Sequence, residues 1–269
     1  MTRFGKLAFG RRAGLTGAAA ATVALGAPRS AKAAGKRIFV LVHGAWHGGW
    51  CYQRVADKLA AAGHKVYTPT LTGLADRSHL MRPDITLKTH VDDIVNLMKW
   101  EDLTDIVLCG HSYGGAVVSG VAEVMLPQIA SIVFLDAFMP ESGQTIMELS
   151  PASRDNVLAS QARGVISLPA PPARVFAVNP ADQATVDAKC TPQPIRTFTE
   201  GLTITGARER VRKKTYVRGE QYARDAFDAS YEKARRDASW TAHRLPCGHD
   251  VMLDMPDRTA EILLQAAAD

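Results

Sequence analysis

The 269-residue chain reads as an α/β fold, a mostly parallel sheet flanked by helices and interrupted by an inserted cap subdomain. Two patterns carry that reading. Continuous apolar runs, RIFVLV at 37–42 and SIVFL at 131–135, suit strands buried on both faces. The segments between such runs place apolar residues at helical spacing, so strands and helices alternate.

In chain order, the strand at 37–42 leads to a helix over 50–62. Val55, Leu59 and Ala62 share one of its faces, and Gly63 stops it. KVYT at 65–68 is a short strand closed by Pro69. A helix over 87–98 carries Leu87, Val91, Ile94, Val95 and Met98. DIVLC at 105–109 is a second buried strand, and a helix of small residues over 113–125 is able to pack close to a sheet. After the strand at 131–135 the alternation breaks. Residues 140–212 are rich in proline, including Pro151, Pro169, Pro171, Pro172, Pro180, Pro192 and Pro194. So long a stretch suits an inserted subdomain better than a loop. Alternation resumes with a strand at 214–218, a helix over 225–237, a strand at 240–245 and a helix from about 256. The expected division is a core of 34–139 and 213–269 with a cap of 140–212.

Charge separates the N-terminus from the rest. The net charge is +5, but residues 1–33 hold six basic residues and no acidic one. The remainder has 26 basic against 27 acidic residues, which argues against nucleic-acid binding. Arg11-Arg12, an Ala/Gly-rich apolar stretch over 13–27 and Ala31-Lys32-Ala33 read as an export signal with a small-x-small cleavage site, of twin-arginine character. The mature form is then expected to start near Ala34, to lie in the periplasm or outside the cell, and to make no membrane span. The cysteines Cys51, Cys109, Cys190 and Cys247 match no zinc or redox spacing, and no histidine/carboxylate cluster has metal-ligand spacing.

The chemistry centres on Gly110-His111-Ser112-Tyr113-Gly114-Gly115. It fits G-x-S-x-G between an apolar strand and a small-residue helix, the sharp turn that exposes a nucleophilic serine at a helix N-terminus. Ser112 needs a base. His249 follows the last strand, in the order serine, acid, histidine. The acid is open among three carboxylates, ranked Glu220 after the strand 214–218, then Asp225, then Asp136. The oxyanion requires backbone N–H donors, one from Tyr113 and one from Ala45 in the loop after the first strand. His43 is expected to brace that loop, His47 and His111 to be structural or pocket-lining, and 208–214 to be a solvated basic face. Met139, Ile146, Met147, Leu149, Phe176 and Phe198 either line an apolar pocket or form the cap's own core.

These motifs carry a family resemblance. His43-Gly44-Ala45-Trp46-His47-Gly48-Gly49-Trp50, Gly110–Gly115, Phe134-Leu135-Asp136-Ala137-Phe138-Met139-Pro140 and Gly248-His249-Asp250 resemble the α/β-hydrolase family of plant methyl-salicylate esterases, polyneuridine aldehyde esterase, hydroxynitrile lyases and bacterial esterases such as pyrethroid hydrolases. The likeness spans about 37–267, and Thr191–Pro194 looks most like the bacterial branch. It implies an α/β-hydrolase fold with a sheet of about six parallel strands, no cofactor, a cap and a largely apolar pocket. It also implies Ala45 as the second oxyanion donor. The lyases have threonine at Gly44 and lysine at Asp250, so the resemblance favours an esterase acting on small to medium apolar or aromatic esters through an acyl-enzyme. The alternatives are a lyase-like or other triad-based cleavage and a ligand receptor without turnover. In the family Asp136 is shared without usually being the acid, and the altered spacing near Glu220 leaves that position open.

Overall fold

The structure is a computed structural model and describes residues 35–268. The expected export signal at 1–33 lies outside them. Six strands form one parallel sheet: β1 (Ile38–Val42), β2 (Lys65–Tyr67), β3 (Ile106–His111), β4 (Ile129–Leu135), β7 (Lys213–Gly219) and β8 (Trp240–Leu245). Two short strands, β5 (Ser167–Leu168) and β6 (Gln193–Pro194), make a separate antiparallel pair. The sheet order is β2-β1-β3-β4-β7-β8, with every pair parallel.

Each strand lies within two residues of its expected position because its sequence admits little else. Every residue of β3 is buried, and all but its last, His111, are apolar or small. Helices supply the cover. α1 (Gln53–Ala61) packs on α11 (Pro256–Ala267), and α11 lies against β3, β4 and β7. α2 (Leu87–Trp100) packs on α3 (Gly114–Met125), which lies against β1, β3 and β4. Thr86 caps α2, accepting from Thr89 N–H while the Thr89 hydroxyl accepts from Thr86 N–H.

Residues 140–212 hold short elements that no periodicity announced: α4 (Ile146–Leu149), α5 (Pro151–Ala162), α6 (Pro180–Lys189), α7 (Arg196–Thr199), α8 (Ala207–Arg210) and the β5–β6 pair. α9 (Asp225–Arg236) and the single turn α10 (Val251–Asp254) complete the core. The basic run at 208–214 is not a solvated face throughout. Arg208 is buried and donates to Pro140 O at 2.6 Å and Ser119 Oγ at 3.3 Å, and Lys214 is buried as well. Both side chains have stems long enough to lie in the core while their heads find oxygen acceptors.

The strand order fixes where a site forms. From β1 the chain runs outward to β2 and then crosses to β3 on the other side. A crevice therefore opens beyond the carboxyl ends of β1 and β3. The loops 43–48 and 111–114 meet there. Their approach is close: a Cβ on Gly114 would lie 2.7 Å from both Val42 O and His43 O. Gly114→Ala is therefore expected to force backbone apart and to cost about 1–3 kcal/mol, read from the denaturant midpoint. An unchanged midpoint would refute the packing argument.

Candidate active site

Ser112 is the turn between β3 and α3. It has φ +51°, a left-handed conformation uncommon for a residue with a Cβ. The turn is held on three sides. Ser112 N–H donates to Leu135 O at 3.3 Å, and Ser112 O accepts from Gly115 and Phe138 N–H at 3.0 Å each. The cost of such a conformation, about 1–3 kcal/mol, is met by this surrounding structure.

The hydroxyl faces a proton acceptor. Ser112 Oγ lies 2.8 Å from His249 Nε2, and His249 Nδ1 lies 2.6 Å from Asp136 Oδ2. Since Nδ1 donates to a carboxylate, Nε2 is left as the acceptor for the serine proton. Both residues are buried, Ser112 at 7% and His249 at 4% exposure. The imidazole is clamped in place: Phe227 stacks on it at 5.2 Å, and Tyr222 sits 4.6 Å from it. His249 N–H donates to Phe176 O, and His249 O accepts from His111 Nε2, both at 2.9 Å.

The carboxylate beside His249 is the one ranked last from the sequence. Glu220 follows β7 as expected, but its side chain is exposed and its backbone N–H pairs with Leu245 O. Asp225 is exposed at the start of α9. Neither reaches the imidazole. Asp136 reaches it from the end of β4, fully buried, whereas the carboxylate after the neighbouring strand β7 turns outward to solvent. Its other oxygen, Oδ1, accepts from Arg218 Nη1 at 2.8 Å and from Gly219 N–H at 3.0 Å. Arg218 occupies the end of β7. It is itself buried and is further held by Asp228 Oδ1 at 2.9 Å and Tyr222 O at 2.6 Å. Burial alone would lower the Arg218 pKa, but Asp228 and Asp136 together raise it.

Ala45 and Tyr113, the two residues expected to supply oxyanion donors, both border the site. Both line the cavity with Ser112 and His249, and neither backbone N–H donates to a protein acceptor among the described residues. The Ala45 loop is tightly held. His43 Nδ1 donates to Gly44 O at 2.8 Å and its Nε2 accepts from Leu71 N–H at 3.0 Å, so His43 is the bracing residue expected. Burial holds His43 neutral, with its pKa lowered to about 3. Trp46, at φ +64°, donates its N–H to Gln193 Oε1 at 2.9 Å. Gln193 is fully buried and comes from β6, in the segment that defied sequence reading. A Cβ on Gly44 would lie 2.9 Å from Ser112 Cβ, so this loop approaches the nucleophile as closely as glycine permits.

His47 and Asp250 join this loop to the histidine loop. His47 Nε2 lies 3.1 Å from Asp250 Oδ2, and His47 Nδ1 lies 2.8 Å from Ala45 O. Both partners are acceptors, so both ring nitrogens carry protons and the pair is imidazolium and carboxylate. Burial opposes that charge, yet the Asp250 carboxylate raises the His47 pKa well above its ordinary value. Asp250 is held well below the usual carboxylate range; burial opposes this, and His47 outweighs it. His111 is the opposite case: burial, reinforced by His249, keeps it neutral.

The cavity measures about 250 Å³. Phe176 and Phe198 line it. The other four expected apolar liners do not: Met139 and Ile146 are core, and Met147 and Leu149 pack partly buried against it. One wall is polar, built from Ser150, Ser153, Asn156 and Arg224. Among the described residues there is no group of His, Cys, Asp and Glu able to hold a metal.

Comparison with known proteins places the chain among relatives of the same fold. The profile of the Alpha/beta hydrolase family matches residues 39–262. A carbendazim hydrolyzing esterase of Nocardioides sp. (strain SG-4G) is 39% identical over 235 residues, covering 84% of this chain and 97% of that protein. Salicylic acid-binding protein 2 of Nicotiana tabacum is 42% identical over 108 residues, 39% of this chain and 40% of that protein. Among solved structures, an extracellular alpha/beta-hydrolase from Paenibacillus species shares the fold with a TM-score of 0.75 at 23% identity, covering 87% of this chain and all of that one. A pyrethroid hydrolase from Sphingobium faniae shares it with a TM-score of 0.66 at 20% identity, covering 86% and 97% of the two chains.

The buried histidines set a pH dependence of stability. His43, His90 (lowered to about 4 by burial) and His111 have depressed values. As pH falls below about 6.5, the unfolded chain binds protons that the folded chain refuses, and stability drops. His47 has a raised value, so the folded chain keeps a proton that the unfolded chain loses above about 6.5, and its contribution fades as pH rises. Denaturant unfolding is expected to show a maximum near pH 6.5, and His47→Gln/Asp250→Asn to flatten the limb between about 6.5 and 8.5 while keeping the acid limb. An alkaline limb of unchanged slope in the double variant would show that His47 is not the charged partner.

Proposed function

This chain belongs to the alpha/beta hydrolase family and is a carboxylic ester hydrolase, and we propose that Ser112, His249 and Asp136 are its nucleophile, base and acid. The observation that carries the assignment is the continuous relay from Ser112 Oγ through His249 to Asp136 Oδ2, at 2.8 and 2.6 Å, opening into one cavity.

Ser112 attacks the ester carbonyl while His249 Nε2 takes its proton. Negative charge then develops on the carbonyl oxygen. Ala45 and Tyr113 N–H groups receive it, and because they face no protein acceptor they are free to do so without reorganisation. His249 returns its proton to the leaving alcohol. The acyl group remains on Ser112 until water, deprotonated by His249, releases the acid. Asp136 stays ionised throughout, because Arg218 and Gly219 N–H hold Oδ1 while Oδ2 orients the imidazole. The reaction as written needs no cofactor or metal.

Aromatic residues Trp46, Phe138, Phe176, Phe198, Tyr222 and Phe227 border the cavity, which supports small to medium apolar or aromatic esters as substrates. The esterase from Nocardioides is matched along 97% of its length, which supports the same chemistry here. Asp250, where the resemblance to lyases calls for lysine, is engaged by His47 and supplies no cation to the cavity. We also propose export of the mature protein, supported by Arg11-Arg12, the apolar stretch that follows, and Ala31-Lys32-Ala33. No helix among the described residues is long and apolar enough to cross a membrane.

Hydrolysis of p-nitrophenyl esters is expected for the wild type and not for Ser112→Ala. Retained turnover in that variant would remove Ser112 from the mechanism. Asp136→Asn is expected to lower kcat by roughly 10³–10⁴-fold, because His249 loses the partner that fixes its tautomer. Glu220→Gln is expected to leave kcat near wild type. The reverse pattern would return the acid's role to Glu220.

A further inference from the structure

Arg224 is a cation in the cavity wall with no anion beside it. It lies at the N-cap of α9, with extended backbone, after the turn that follows β7. Its Nη1 donates to Ser150 Oγ at 2.9 Å and its Nη2 to the Tyr222 hydroxyl. The guanidinium lies over the Tyr222 ring at 5.3 Å, and that ring is 4.6 Å from His249. The group is thus one aromatic ring away from the base.

Its surroundings leave the charge uncompensated. Among the described residues no carboxylate forms an ion pair with Arg224. The nearest acids by sequence are committed or turned away: Asp228 accepts from Arg218, and Asp225 is exposed. The cavity lining contains no Asp or Glu. The start of α9 adds its own positive potential to the same place. Each terminal nitrogen of Arg224 has one protein partner, which leaves a second N–H on each for a further acceptor. Ser153 and Asn156, on α5, add further polar groups to the same wall. A guanidinium that braced the fold alone would be expected to meet a carboxylate or to have its donors filled, as Arg218 does.

We propose that Arg224 reads the substrate, and that the preferred esters carry a second, ionised carboxyl group, as half-esters of dicarboxylic acids do. The carboxylate accepts from the remaining Nη N–H groups of Arg224, with Ser153 or Asn156 beside it. The ester carbonyl meanwhile sits between Ser112 and the Ala45 and Tyr113 N–H groups. This rests on the esterase reading of the cavity and adds a substrate class to it.

The test compares p-nitrophenyl hemiglutarate with a neutral counterpart whose chain ends in an isopropyl group, each corrected for its uncatalysed rate. The quantity read is the ratio of kcat/KM for the anionic over the neutral ester. Arg224→Met is expected to lower that ratio about tenfold or more, and Arg224→Lys to restore part of it. A fall shared equally by both esters, or no fall, overturns the proposal. A second measurement does not depend on turnover: calorimetric binding of glutarate to Ser112→Ala, with and without Arg224→Met. Binding that disappears with Arg224 supports the anion site, even if the wild type hydrolysed neither ester and the esterase reading failed. Glutarate binding that is absent, or indifferent to Arg224, overturns the anion site, even if both esters are hydrolysed.

Discussion

Asp136 is a fully buried carboxylate, and an ionised carboxylate in a protein interior persists only if its oxygens are satisfied. Three donors do this: the Arg218 guanidinium, Gly219 N–H and His249 Nδ1. They belong to β7, to its last residue and to the loop after β8. The charge therefore ties the ends of three adjacent strands to one point. Removing Arg218 would leave the charge poorly compensated, at a cost on the order of 3–5 kcal/mol. The alignment of His249 on Ser112 depends on this arrangement, since the imidazole is oriented by the same carboxylate that the guanidinium holds.

A second tie crosses the crevice from the other side. His47 and Asp250 form a buried ion pair whose imidazolium also donates to Ala45 O. The loop of Ala45 and the loop of His249 are therefore held by a single side-chain pair. Gln193 reaches in from the inserted segment to hold Trp46 N–H. The cavity geometry is thus set by contacts among parts distant in sequence, each satisfying a buried polar group that would otherwise be left without a partner.

This division explains what could be read in the sequence. β1, β3 and β4 are continuous apolar runs between helical segments, and burial on both faces leaves no other pattern. Ser112 and His249 sit at fixed points of that alternation, so they were legible with it. The acid was not. Serine, acid, histidine order is satisfied by Asp136 as well as by Glu220, and order cannot tell which strand end carries a buried side chain. One signal was present: Asp136 follows an apolar strand and is followed by Ala137 and Phe138, so it is an acid set in apolar sequence and must be buried with a cation. Arg218, next to the last residue of β7, is that cation. Within 140–212 the elements are mostly two to four residues long and are fixed by tertiary contact, which leaves no periodicity to detect.

With Asp136, the proposed acid, at the end of β4, the proposed nucleophile and acid belong to one contiguous unit, β3–α3–β4. The connection from β7 to α9 then carries no proton-transfer group. Beyond Gly219 it places Tyr222 and Arg224 on the cavity, while the backbone before it keeps the site in register. Tyr222 also packs on the His249 ring, whereas Arg224 reaches that ring only through Tyr222. Drift at Arg224 can thus retune which molecules are accepted while the groups proposed to cleave the bond stay in place, so that one frame can acquire new substrates by small steps.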